Sequence, residues 1–230
     1  MLFTIIQRLV SGQSVDLSEL IAAILATLFV IFCILPVHEW AHAWAANRLG
    51  DPTAKSQGRM SLNPIVSFDP VGALFLLLFG FGWAKPVPID SRYFRNRKRD
   101  TALTAFAGPL SNLIVAWIGA LIYWGIVVGT RGLLPVFVKF FFMAYIEINV
   151  SLAVFNLIPL PPLDGSQILG SFLSDRALYN YYRYQNIIVA IAFVVLFTGV
   201  LSVPIDWLTN VCYLGVSWFG RLPYQLLGLL

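Results

Sequence analysis

Charged residues are scarce in this 230-residue chain, at 11% against 59% for apolar types. Soluble globular domains carry about a quarter charged residues, so a freely soluble fold is excluded and an integral membrane protein is indicated. Histidine and cysteine occur only twice each. Cys33 and Cys212 both fall in apolar segments, which gives neither a disulfide framework nor a cysteine metal set and leaves two small buried hydrophobes. The chain also lacks any stretch with the size and pattern of an attached soluble domain. Met1–Val10 is apolar but has no basic start and no small-residue cleavage site, so it reads as an interfacial or partly inserted helix rather than a signal peptide.

What is abundant is long apolar runs. About 20 helical residues cross the roughly 30 Å of a bilayer's hydrocarbon. Leu20–Val37, Ala102–Gly129, Leu133–Ile158 and Ile187–Val203 are candidates, and Trp207–Gly220 is a shorter, weaker one. Val71–Trp83, with 13 residues, suits a re-entrant or interfacial segment better than a span. Thr53–Leu62 and Trp83–Ile89 contain strand-like stretches. The expectation is one membrane-embedded domain over residues 1–230. It would be an all-α integral membrane protein, a polytopic bundle of about 4–6 membrane segments. A short re-entrant segment and a small strand or loop element would complete it.

If the first long helix ends on one side and Val71–Trp83 returns to that side, only Arg8, Arg131 and Lys139 of the 15 lysines and arginines fall opposite. That count puts Arg221 with the majority, on the assumption that the last segment re-crosses. The positive-inside rule makes the rich side cytoplasmic and the protein a multi-pass component of the cell membrane. The cluster RYFRNRKR, residues 92 to 99, lies beside a membrane segment, so an anionic-lipid contact accounts for it without nucleic acid.

Both histidines lie in VHEWAHAW, residues 37 to 44, at the end of the first apolar run. Positions four apart share a helix face, so His38 and His42 present two imidazoles to one point, with Glu39 about 100° round at the same level. Ionisable groups in membrane segments are costly and mark function. The H-E-x-x-H pattern supplies two zinc ligands and a carboxylate able to act as base. A catalytic zinc usually has three protein ligands, and with no further histidine the third should be a carboxylate. Asp164, in FNLIPLPPLDG, follows a membrane helix returning to the cytoplasmic side. Prolines 159, 161 and 162 end that helix and Gly165 permits a tight turn. Glu147 is the rival carboxylate, but its place near mid-membrane matches the depth of His38 poorly.

HEWAHAWAANRLGDPTAKSQGRMSLNP, GWAKPVPID, AGPLSN and FNLIPLPPLDG resemble, in order and spacing, the site-2 protease family of intramembrane zinc metalloproteases. The match runs over about residues 20–165, leaving C-terminal membrane segments at about 185–220, and looks like the short prokaryotic branch without PDZ or CBS domains. The resemblance implies one zinc on His38, His42 and Asp164, Glu39 as general base, and cleavage of a transmembrane client within the bilayer near its cytoplasmic face. Asn156 matches the family's asparagine and is placed to donate to an oxyanion or an extended substrate backbone. In AGPLSN, Gly108 permits close helix approach, Pro109 kinks the helix and Asn112 is placed to bond across helices. In WAKPVPI, Pro86 and Pro88 lack donors on one edge, so Lys85, Val87 and Ile89 keep theirs for an added substrate strand. Two rivals stand beside this reading: a transporter or binding bundle using the same residues, and a membrane metalloprotease acting on lipidated or soluble peptides. Paired broken helices in repeated halves would mark the transporter, and none is seen.

Overall fold

The computed structural model describes residues 11–12, 16–79, 82–198 and 202–230, and every regular element among them is helical. Met1–Val10 and the last part of Ile187–Val203 lie outside or partly outside the described residues. Leu17–Leu49 and Arg97–Gly129, of 33 residues each, and Val136–Asn156, of 21, are long and apolar enough to cross a membrane.

The first stretch joins α1 (Leu17–Phe29), a π-helical turn (Val30–Ile34) and α2 (Leu35–Leu49). Asp16 starts it, its carboxylate accepting the Ser18 N–H at 2.7 Å. The wide turn sits directly before Pro36, whose missing N–H leaves the Phe32 carbonyl without its helical donor and whose ring crowds that carbonyl. Gly50, at φ 112°, ends α2 in the left-handed conformation that glycine adopts without strain.

Two short helices follow, α3 (Thr53–Ser56) and α4 (Pro64–Ser67), and then α5 (Pro70–Phe79). At 10 residues α5 is apolar but too short to cross, in line with a re-entrant segment. A Cβ on Gly72 would overlap the Trp83 carbonyl, so the chain after α5 returns closely along it. Thr53–Leu62 is not strand-like: it is α3 followed by turns. Trp83–Ile89 is irregular and joins no ladder, because two of its residues are prolines and the N–H groups of Lys85 and Val87 are taken by a loop carbonyl and a side chain.

The remaining elements are α6 (Arg97–Gly129), α7 (Val136–Asn156), α8 (Asp164–Phe172), α9 (Asp175–Arg183), α10 (Gln185–Phe197) and α11 (Ser202–Leu226). Asn96 caps α6 by accepting the Arg99 N–H at 3.2 Å. At about 50 Å, α6 exceeds the hydrocarbon thickness, so its basic first turns stand outside the apolar layer.

Helix α6 is the hub, packed by α2, α7, α8 and α11. Lipid removes most of the hydrophobic drive between helices, so close contact relies on small residues and hydrogen bonds. Ala22, Ala26, Ala43, Ala46, Ala116 and Ala120 are accordingly buried. Gly119 receives the Tyr145 ring, whose hydroxyl donates to the Val115 carbonyl at 3.1 Å. Gly220 of α11 meets Ala120, and the Tyr224 hydroxyl donates to the Leu121 carbonyl at 2.9 Å. Arg221 lies over the Trp124 ring, 5.0 Å from its centroid. These contacts set Arg221 toward the Gly129 end of α6, away from Arg97. The expectation that Arg221 joins the arginine-rich side is therefore corrected: Arg221 sits at the level of Trp124, in the half of α6 remote from its basic start.

Candidate metal centre

The first apolar residue of α6 after its basic start is Ala102, and Gly108 lies about 9 Å further along the helix. There α2 presses both histidines onto α6. A Cβ on Gly108 would overlap His42 Nε2 and stand 2.7 Å from His38 Cε1. Both imidazoles are buried. His42 Nδ1 lies 2.8 Å from the Thr104 carbonyl, which can only accept, so Nδ1 carries the proton and donates. His38 Nδ1 lies 2.6 Å from Asn112 Oδ1 and donates likewise. Asn112 is itself held, its Nδ2 donating to Asn149 Oδ1 at 3.3 Å, and Asn149 Nδ2 donates to the Tyr145 carbonyl at 2.8 Å.

With both Nδ1 atoms so engaged, each neutral imidazole turns a lone pair outward at Nε2. Those two atoms are 3.0 Å apart, and Asp164 Oδ2 lies 3.4 Å from one and 3.3 Å from the other. Three acceptor atoms facing one another repel unless a cation sits among them. Asp164 Oδ2 is buried with no hydrogen-bond partner among the described residues. A tetrahedral zinc with arms of about 2.0–2.1 Å would separate its ligand atoms by about 3.3–3.4 Å, close to what is observed. A cation at that point would favour the ionised form of the Asp164 carboxylate.

Asp164 arrives at the start of α8, a helix that packs on α6. Gly165 is not in a left-handed turn, contrary to the turn role expected for it. It is helical, and a Cβ there would overlap the carbonyls of Leu157 and Ile158, so its small size lets α8 close onto the end of α7. Glu147 is not part of the ligand group.

Glu39 is buried beside the pair, and its Oε2 accepts the Val87 N–H at 2.9 Å. Lys85 N–H donates to the Ser67 carbonyl at 2.8 Å. Two donors expected to form an open edge for substrate thus have internal partners. Asn156 Nδ2 donates to the Leu152 carbonyl at 2.9 Å, back along its own helix. Pro109 lies inside α6, one residue after the glycine against which the histidines rest.

A family model for peptidase family M50 matches residues 134–199, which include Asp164 but not the histidines. The chain is 39% identical over 194 residues to "Putative zinc metalloprotease YwhC" of Bacillus subtilis, covering 82% of this chain and 86% of that one. The chain belongs to peptidase family M50. It is 28% identical over 171 residues to "Putative zinc metalloprotease Rip2" of Mycolicibacterium smegmatis, covering 68% of this chain and 62% of that protein. It is 27% identical over 142 residues to "Putative zinc metalloprotease MJ0611" of Methanocaldococcus jannaschii, covering 57% and 62%. No solved structure matches the chain. Its membership agrees with the site-2 protease motifs, and zinc is the cofactor the family implies.

Sequence reasoning missed several parts of this M50 site. The Thr104 carbonyl holds His42, and a backbone group leaves no trace in residue identity. Asn149 supports Asn112 from another helix. Asp51, next after the Gly50 that ends α2, is fully buried and accepts the Asp90 N–H at 2.7 Å. Arg59, counted only as a cytoplasmic charge, donates to the carbonyls of Lys85 and Pro86 at 2.7 and 3.0 Å.

Proposed function

We propose that this M50 protein is an intramembrane zinc metalloprotease that hydrolyses peptide bonds in or near the transmembrane segments of client membrane proteins. One zinc is held by His38, His42 and Asp164, at a depth reached from the cytoplasmic face of the cell membrane. The observation that carries the reading is the convergence of two imidazole Nε2 atoms and one buried, unpartnered carboxylate oxygen beside Glu39. When bound, zinc supplies a Lewis acid that polarises the scissile carbonyl and makes water a stronger acid. Glu39 takes the proton from the attacking water and delivers it to the leaving amine. The carbonyl of Thr104 and the amide of Asn112 fix the tautomer and direction of the two imidazoles. Asn156, on the helix entering the Asp164 loop, would serve substrate only by exchanging its bond to Leu152, and Lys85, Val87 and Ile89 line the approach to Glu39. The cellular role in keeping with this chemistry is regulated intramembrane proteolysis, releasing a fragment of a membrane-anchored regulator or clearing membrane remnants.

The test is reconstitution of purified protein with a panel of single-span substrates, wild type against Glu39→Gln. The amide keeps the shape of the carboxylate but accepts no proton, and general acid–base assistance is typically worth about 10²–10⁴ in rate. Zinc-dependent cleavage is expected in the wild type, and a drop of that order with zinc retained in the variant. Cleavage by Glu39→Gln at the wild-type rate would remove Glu39 as the base.

A further inference from the structure

Residues 85 to 90 approach Glu39 as a backbone held at three places. At the start, Lys85 donates its N–H to the Ser67 carbonyl at 2.8 Å, while Arg59 Nη2 donates to the carbonyls of Lys85 at 2.7 Å and Pro86 at 3.0 Å. The other arm of that guanidinium, Nη1, donates to the Val66 carbonyl at 2.5 Å, so Arg59 ties the loop before α5 to the stretch after it. In the middle, Val87 donates to Glu39, and its side chain packs against Ala43 and Ala54. At the end, Asp90 donates its N–H to Asp51 Oδ2 at 2.7 Å. Asp51 Oδ1 accepts the Thr53 N–H at 2.9 Å and the Thr53 hydroxyl at 2.5 Å, so this fully buried carboxylate is satisfied on both oxygens.

The register of this stretch matters because Pro86 and Pro88 have no N–H. A shift of one residue would put a proline nitrogen opposite Glu39 and leave a buried carboxylate without its donor. We infer that Asp51 and Arg59 are positioning residues for Glu39, acting through the backbone of residues 85–90 to keep the Val87 N–H on its carboxylate. Asp51 is well suited to this: it follows directly on the helix that carries Glu39, so one rigid element fixes both ends of the contact. Arg59 supplies what Lys cannot, two donors on successive carbonyls from one planar group. The inference rests on the proposed role of Glu39 as base. Neither residue touches the metal ligands.

Asp51→Ala and Arg59→Ala would be compared with wild type for zinc content, kcat, KM and amide hydrogen exchange over residues 84–90. Positioning errors near 1 Å at a reacting group can lower rates by about 100-fold, so kcat should fall by about 10- to 100-fold with KM within about threefold. Zinc should stay at one per chain, and exchange at Val87 should quicken. On a Val87→Pro background, which already lacks the donor, neither substitution should lower kcat further. An unchanged kcat, a further loss on that background, or loss of zinc together with activity would each overturn the inference. Exchange is read without turnover, so undisturbed protection at Val87 in both variants refutes it even where no client is cleaved. Cleavage by Glu39→Gln at the wild-type rate would instead refute the underlying reading of Glu39.

Discussion

Gly108→Ala tests whether the two histidines are set by helix packing. The added Cβ would overlap His42 Nε2 and lie 2.5 Å from His42 Cε1 and 2.7 Å from His38 Cε1. Ordinary carbon contacts begin at about 3.5 Å, so the imidazoles or the helix must yield by about 1 Å. Zinc–ligand distances tolerate only about 0.2 Å. The helix is equally hard to move, because α6 is packed by α2, α7, α8 and α11 together. Overpacking of this kind typically costs about 1–3 kcal/mol, which a bundle of this size survives. Metal affinity, by contrast, should fall at least about 10- to 100-fold, the loss seen when groups supporting metal ligands are removed. The assay is zinc per protein after equilibration against a zinc buffer, with helical content followed by circular dichroism. Gly215→Ala is the control, because nothing lies within 4 Å of a Cβ there. If Gly108→Ala binds zinc as tightly as wild type, the histidine pair does not rest against α6 and the geometry of the site is wrong.

His38→Ala, His42→Ala and Asp164→Ala should each lose zinc while Glu147→Ala keeps it; metal analysis giving the reverse for the two acids would mean the third ligand is misassigned. Asn112→Ala leaves His38 Nδ1 without its acceptor, and zinc affinity measured by chelator competition should weaken by about 10- to 100-fold; an unchanged affinity would show that the imidazole needs no such support. Single cysteines placed at 55 and 95 should label from one side of sealed vesicles and those at 131 and 221 from the other; label at 55 and 95 from opposite sides would show that α5 crosses.

The two-histidine pattern and the loop around Asp164 were legible because each is local: a helix period of four, or a proline-broken turn ending in a carboxylate. The re-entrant length of α5 followed from counting residues against the bilayer. What the sequence concealed are contacts between elements distant along the chain. Nothing local in GDPT tells that Asp51 turns back to meet Asp90, because the same residues spell a helix stop in any protein. Trp83–Ile89 has the alternation of a strand edge, and its prolines do blunt one side. The other side is engaged within the fold, by Ser67 and Glu39, and that engagement depends on how α5 brings the chain home. Arg221 was misplaced for a similar reason: charge counting assumes where each apolar run ends, whereas the contact with Trp124 sets Arg221 beside the far half of α6.

The polar thread from His38 through Asn112 and Asn149 to the Tyr145 carbonyl joins α2, α6 and α7 at the level of the site. In water such a buried chain would be a liability relative to an apolar core, but in lipid the separated helices must still satisfy these amides. Interhelical hydrogen bonds in membranes are worth about 0.6 kcal/mol on average and about 1.7 at most. That range is too small for the thread to be the main support of the bundle, which rests on alanine and glycine contacts. It is enough to decide which way an imidazole ring faces, since a rotated ring would leave both its own Nδ1–H and the Asn112 carbonyl unpaired. The thread's physical effect is therefore orientational. Loss of Asn112 should reach metal affinity well before it reaches the fold, and a variant in which both fall together in equal free-energy measure would contradict this division.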